Sequence, residues 1–191
     1  MQSGQPARPV TYALWVLAVL GGARAQAADS YRLDSANTQV AFEVQRFGVR
    51  WVTAHFQDIS GEFVLDRHGR SSHVDVKVGI ASVDCNDSRW NERLRSPEWL
   101  DAQRYPWMTY HAGSIRFDEG RATATGELTL HGVTQPVVLH ITFVNCRNGN
   151  ACQFDAHARV KRSEFALPHG FWVGGDPVDI SISGVVSRSA G

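Results

Sequence analysis

Alternation between apolar and polar residues constrains this chain more than any other feature. In "HVDVKVGI", Val74, Val76, Val78 and Ile80 share one parity while His73, Asp75, Lys77 and Gly79 share the other. A period of two sends each parity to a different face of an extended strand, so the segment predicts a strand with one dry and one wet face. The pattern recurs in "TQVAFEV", "ISGEFVL", "MTYHAGSIRF", "RATATGELTLHG", "VTQPVVLHITFV", "FDAHARV" and "PVDISISGVV", with turn signals such as "DRHGRSS" and "DEG" between them. One-sided strands about eight to twelve residues apart predict an antiparallel sandwich or barrel, and a single closed sheet with a dry interior suits them. The expected fold class is therefore all-β, an antiparallel β-barrel of about eight strands. Such a barrel has an interior that side chains fill or that holds one small ligand. Around "RFG" the apolar parity switches from Val40, Phe42 and Val44 to Phe47, Val49 and Trp51, which predicts a bulge or bend at Gly48.

The alternation breaks at "NDSRWNERLRSPEWLDAQRYPWMTY". Asp87 or Ser88 is available as a helix N-cap, and Trp90 and Leu94 are four residues apart on one face. Ser96-Pro97 offers a second start, and Tyr105-Pro106 ends the segment before the next strand. One or two short helices are expected to cap the barrel and to turn Trp90, Leu94, Trp99 and Leu100 towards something apolar.

Hydrophobic residues make up 43% of the chain and charged residues 20%, as one globular domain requires. Lys+Arg and Asp+Glu are equal at 19 each, so no net field favours nucleic acid or an anionic membrane, and neither is an expected partner. Near the start, Arg8, the nine-residue apolar run "YALWVLAVL" and the small residues of "GGARAQAAD" read as an export signal at residues 1–28. The run falls well short of the roughly 20 residues a spanning helix needs. A periplasmic domain over 29–191, without stable membrane insertion, is the expectation. Export makes cysteines informative, since disulfides persist in oxidising compartments. Cys146 and Cys152 flank "RNGNA", which reads as a hairpin loop, so they are expected to form a disulfide. Cys85 is left as a small buried residue.

Several segments together resemble the YceI-like family of lipid- or polyisoprenoid-binding proteins. They are "YRLDSANTQVAFEVQRFGV", "ISGEFVLD", "NERLRSPEWLDAQRYPWMTY", "GELTLHGVTQPVVL", "RSEFAL" and "VGGDPVDISI", in that order. The chain departs from the family pattern at Ala36-Asn37, Arg46 and Asn91-Glu92-Arg93-Leu94. The resemblance implies an extended, lipocalin-like barrel capped by a helical segment, with a central tunnel for a long apolar chain. It also implies pairing into homodimers.

A tunnel of that kind needs apolar side chains, because each buried methylene gains about 0.8 kcal/mol and unpaired polar groups cost. The candidates for ligand contact are Phe42, Val44, Phe47, Phe56, Trp90, Leu94, Trp99, Leu100, Tyr105, Trp107, Tyr110, Phe143, Phe165 and Trp172. Any of these serves equally well as plain core. Arg46, Arg50, Arg93 and Arg95 are candidates to meet a polar head group, since guanidinium pairs phosphate or carboxylate bidentately. The eight histidines form no H-x-x-x-H pair, so no metal site is expected. No nucleophile elbow, phosphate loop or zinc-protease motif occurs, and "GFWVGGD" lacks the following helix a phosphate cradle needs. The function expected is non-catalytic binding or transport of an isoprenoid or related lipid, with no cofactor beyond that hydrophobic ligand. The alternatives are quinone, fatty-acid or fatty-amide binding in the same tunnel, an enzyme acting on a bound lipid, and a structural barrel filled by its own side chains.

Overall fold

The computed structural model describes residues 29–46, 50–65, 72–147, 150–169 and 175–189. The expected leader, Phe47, Gly48, Val49 and Trp172 lie outside these residues. The ten strands are β1 (Asp29–Leu33), β2 (Gln39–Arg46), β3 (Arg50–Phe56), β4 (Ile59–Leu65), β5 (His73–Gly79), β6 (Trp107–Asp118), β7 (Arg121–Leu130), β8 (Val133–Arg147), β9 (Ala151–Lys161) and β10 (Pro177–Arg188). One α-helix, α1 (Ser88–Arg95), and three short 3-10 turns complete the described elements.

Ten strands make an eight-walled barrel because two walls are bent. β1 and β2 both pair with β10, at Tyr31↔Arg188 and Val44↔Val178, so they form one wall interrupted by the turn Ser35–Asn37. β3 and β4 form the next wall, pairing with β2 and β1 at Val40↔Phe56 and Tyr31↔Phe63. The Asp34 carboxylate stabilises the first bend by accepting the Ala36 N–H, while the Thr38 hydroxyl donates to the Asp34 carbonyl. At the second bend the Ser82 hydroxyl accepts the N–H groups of Gln57 and Asp58 and donates to the Gly79 carbonyl. The circuit then runs β4-β5-β6-β7-β8-β9-β10 and closes on β1, all antiparallel. The fold class is thus all-β, a closed barrel of eight strands with one short helix.

The bulge or bend expected at Gly48 falls on a residue outside the described ones, and the residues on either side of it are paired. Arg46 pairs with Arg50 across β2 and β3, so the chain reverses there and the parity switch marks a hairpin between two strands. A bulge lies in β6, where the register jumps between His111 and Ser114 and two residues face Gly126 alone. A Cβ on Gly126 would sit 2.3 Å from the His111 carbonyl oxygen, so this close approach requires glycine. Two-residue hairpins join β6 to β7 and β7 to β8, the latter with positive φ at His131 (53°) and Gly132 (74°), as a primed turn demands.

Between β5 and β6 the chain leaves the barrel wall for residues 80–106 and runs beside the free edge of β3. His55 and Asp84 exchange both backbone hydrogen bonds at 2.8 Å and tether this excursion. Asp87 caps α1, its carboxylate accepting the N–H groups of Arg89 and Trp90. The expected second start at Ser96-Pro97 does not form a helix. Proline pushes Ser96 into extended backbone (ψ 162°), making it the C-cap of α1, and Asp101 takes a left-handed φ of 46°. The chain instead folds back on α1, with Leu100 N–H donating to the Leu94 carbonyl and Ala102 N–H to that of Arg95.

Candidate functional site

Inward parity and this folded-back excursion enclose a chamber of about 630 Å³, the size of a small-molecule site. The barrel wall contributes Val40, Phe42 and Val44 from β2, Val52, Ala54 and Phe56 from β3, and Met108, Leu130, Val160, Val178 and Ile180 from later strands. The excursion contributes Cys85, Asp87, Trp90, Leu94, Trp99 and Leu100, and the segment after β9 adds Arg162, Phe165 and Leu167. Deeper in the barrel lies a narrow void of about 50 Å³ with an almost entirely apolar lining. Val40, Met108 and Ile180 border both spaces, so they form the neck between chamber and lower barrel.

Eight of the residues proposed from sequence line the chamber: Phe42, Val44, Phe56, Trp90, Leu94, Trp99, Leu100 and Phe165. Tyr110 lines the narrow void instead. Its hydroxyl is bonded to the Ala124 and Val137 carbonyls, and burial pushes its pKa up to about 12. Three residues stand outside both spaces. Tyr105 packs edge-on against His131 over the Gly132 turn, Trp107 is 40% exposed beneath the Lys77 ammonium, and Phe143 stacks on Phe117. Each falls where its strand parity or turn directs it, which aromatic clustering alone does not reveal.

The arginine candidates are also placed. Arg93 is exposed and lies over the Trp90 ring, and Arg95 donates to the Val83 carbonyl at 2.9 Å, so both serve the excursion and neither lines the chamber. Arg46 and Arg50 are described only through the backbone. The charged residue that does line the chamber deep in the protein is Arg162, 6% exposed, which the sequence reading missed. It sits at an inward position straight after β9, and a basic residue at the end of an alternating strand carries no signal of burial. Its Nε and Nη2 donate to the Gly175 carbonyl, and burial lowers its pKa while Asp176 opposes the shift.

Cys85 is half-buried in the chamber wall and is the free cysteine of the described residues. Its thiol donates to Asn91 Oδ1 at 3.1 Å, and burial raises its pKa, so it is a poor thiolate nucleophile. Cys152 pairs in register with Cys146 across β8 and β9, the side chain of Cys146 lying outside the described residues. Among the described residues no group of three or more histidine, cysteine, aspartate or glutamate side chains is placed to hold a metal ion.

A closed antiparallel barrel with an apolar inner chamber under a short helical lid defines a lipocalin-like architecture. Residues 31–186 match the YceI-like domain, and the chain belongs to that family. Protein YceI of Escherichia coli O157:H7 is 31% identical over 166 residues, covering 83% of this chain and 86% of the relative. The crystal structure of Burkholderia cenocepacia BcnA is similar with a TM-score of 0.71 and 25% identity, over 80% of this chain and 98% of that one. A polyisoprenoid binding domain from Saccharophagus degradans shares the fold, with a TM-score of 0.66 at 16% identity, over 83% of this chain and 98% of that one.

Proposed function

We propose that this protein is a non-catalytic carrier or reservoir for an isoprenoid or related amphipathic lipid, working in the periplasm after its leader is removed. The observation that carries this reading is the 630 Å³ chamber, whose wall is apolar over most of its extent and includes Trp90 and Trp99 at the lid. A chain entering it exchanges water for aliphatic and aromatic contact at roughly 25 cal/mol per Å² of apolar surface buried. At about 30 Å³ for each water-sized group, the chamber takes on the order of twenty such groups. A longer chain must pass the neck at Val40, Met108 and Ile180 or leave through the mouth. The polyisoprenoid binding domain with the same fold supports an isoprenoid as the chain. A quinone or a fatty-acid derivative meets the same wall and is the second reading.

The test is native mass spectrometry of protein purified from its own host, with lipid extraction of the same sample. Co-purifying isoprenoid at one per barrel is expected, whereas a quinone or acyl lipid selects the second reading. A barrel that carries no lipid and takes up none when offered overturns both.

A further inference from the structure

We propose that the binding site ends at the neck formed by Val40, Met108 and Ile180, so that the protein selects a chain of about twenty carbons, with Met108 setting the limit. This deepens the carrier reading and rests on it. The family resemblance implies a tunnel through the barrel, whereas the structure divides the interior into a chamber of about 630 Å³ and a void of about 50 Å³. At about 30 Å³ for each water-sized group, the first takes on the order of twenty such groups and the second about one or two. A longer chain has no room beyond the neck.

The lower barrel is closed by side chains that are held in place. Ile59, Phe63, Val74, Val78, Tyr110 and Phe154 border the void and are all buried. The rings of Phe63 and Phe154 meet with centroids 5.9 Å apart, and the Tyr110 hydroxyl is shared between the Ala124 and Val137 carbonyls at 3.0 and 3.2 Å. Swinging Tyr110 aside would leave its hydroxyl without an acceptor in an apolar space, and forcing a chain among packed side chains is itself destabilising. At the neck the three side chains differ in stiffness. Val40 and Ile180 are β-branched and restricted at χ1, whereas Met108 is unbranched, with three rotatable bonds. Met108 is therefore the group that adjusts to the end of a chain. It stands on β6 two residues before Tyr110, paired with Val78 of β5, and is buried like both of them. The void side of the neck is apolar, so the apolar end of the ligand abuts Met108.

A membrane donor reads chain length sharply, because each methylene that leaves a bilayer must find apolar cover again or be left in water. The experiment incubates the delipidated full protein with phosphatidylcholine vesicles carrying equimolar farnesol, geranylgeraniol, geranylfarnesol and solanesol, and in parallel saturated fatty acids from laurate to lignocerate. Lipid on the re-isolated protein is then quantified by mass spectrometry. We expect loading to peak at about fifteen to twenty carbons, with solanesol about tenfold or more below geranylgeraniol. The series that loads identifies an isoprenoid or an acyl chain as the occupant. Met108→Ala joins the chamber to the void and is expected to lengthen the preferred chain by about four carbons, close to one isoprene unit, while Met108→Leu, similar in volume, leaves it in place. Solanesol loading equal to that of geranylgeraniol overturns the length limit while leaving the carrier reading intact. That comparison stands even where Met108→Ala fails to fold. A preferred length that a folded Met108→Ala variant leaves unchanged overturns the role of Met108. Loading of no lipid from either series overturns the carrier reading, and this inference with it.

Discussion

Trp90 and Trp99 meet edge to face, with ring centroids 6.4 Å apart and planes at 85°. One stands on α1 and the other on the turn that folds back against it, and both line the chamber. The contact therefore joins the two halves of the lid. Trp99→Ala removes one of these rings while leaving the barrel strands untouched. An aromatic pair of this geometry contributes about 0.5–1.5 kcal/mol beyond burial. The expected outcome is about tenfold faster lipid release in displacement kinetics, with a small loss of stability in urea melts. A large stability loss with unchanged release would assign Trp99 to core.

Asn91 ties α1 to the strand-like segment before it. Its Oδ1 accepts from the Cys85 N–H at 2.8 Å and from the thiol at 3.1 Å, and its Nδ2 donates to Asp84 at 2.8 Å. Asn91→Ala is expected to cost about 1–2 kcal/mol, because it leaves partly buried groups without partners. It should also speed the reaction of Cys85 with a thiol reagent several-fold. Unchanged labelling would show that α1 stays docked without this side chain. The Asn91 contact holds the Asp84 pKa below its ordinary value, so the stabilisation from Asp84 is present above the carboxylate range and is lost as pH falls through the lowered value.

The bulge in β6 makes a prediction about two glycines. A Cβ at Gly126 meets the His111 carbonyl at 2.3 Å and Ala112 Cβ at 2.7 Å, whereas a Cβ at Gly113 meets nothing within 4 Å. Gly126→Ala is expected to destabilise by about 2–4 kcal/mol and Gly113→Ala by less than about 0.5 kcal/mol. Chemical denaturation of the two variants side by side measures the difference, and equal effects would show that the bulge yields easily.

Alkaline pH tests Tyr110. Its folded pKa of about 12 lies above the ordinary value of 10, so the folded state favours the neutral phenol. The resulting stability is complete below pH 10 and is lost as pH rises towards 12, by about 2–3 kcal/mol in all. Tyr110→Phe should cost about 1 kcal/mol at neutral pH through its two lost carbonyl contacts, and should flatten the alkaline limb of the stability curve. An unchanged limb would mean that other groups govern it.

Cys146 and Cys152 are register partners across β8 and β9, so a bridge between them is the expected state in an oxidising compartment. Peptide mapping of unreduced protein should recover the two cysteines in one linked fragment. It closes a short loop, so reduction should cost only about 2 kcal/mol. Recovery of both as free thiols would remove the bridge.

The fold was legible because its signals are local. The alternation of Val74, Val76 and Val78 names a dry strand face without knowledge of any partner, and Asp87 before "SRW" names a helix cap. The lid was legible for the same reason, since Trp90 and Leu94 are one helical turn apart. Legibility ended where a local signal had two solutions. The parity switch at "RFG" reads as a bulge or bend at Gly48, which lies outside the described residues, and the Arg46↔Arg50 register shows that the chain passes there from one strand to the next. Ser96-Pro97 fits a helix start or a helix stop, and the preceding α1 decided for the stop. Aromatic density in residues 105–110 did not show that Tyr105 serves a turn and Trp107 faces Lys77.

By itself, the amino-acid order determined an all-β barrel of about eight walls, an interrupting helix and an interior rich in Phe, Val and Trp, since strand period, caps and turn residues act within a few positions. Tertiary closure decided which of those apolar residues border empty space and which border each other. It brought β10 against β1 and β2, set Met108 and Ile180 at the neck, and turned Arg162 inward beside Phe165. A cavity belongs to no segment of the chain, because its volume is the difference between how far apart the walls stand and how far their side chains reach. Both quantities are fixed only when strands distant in sequence pair.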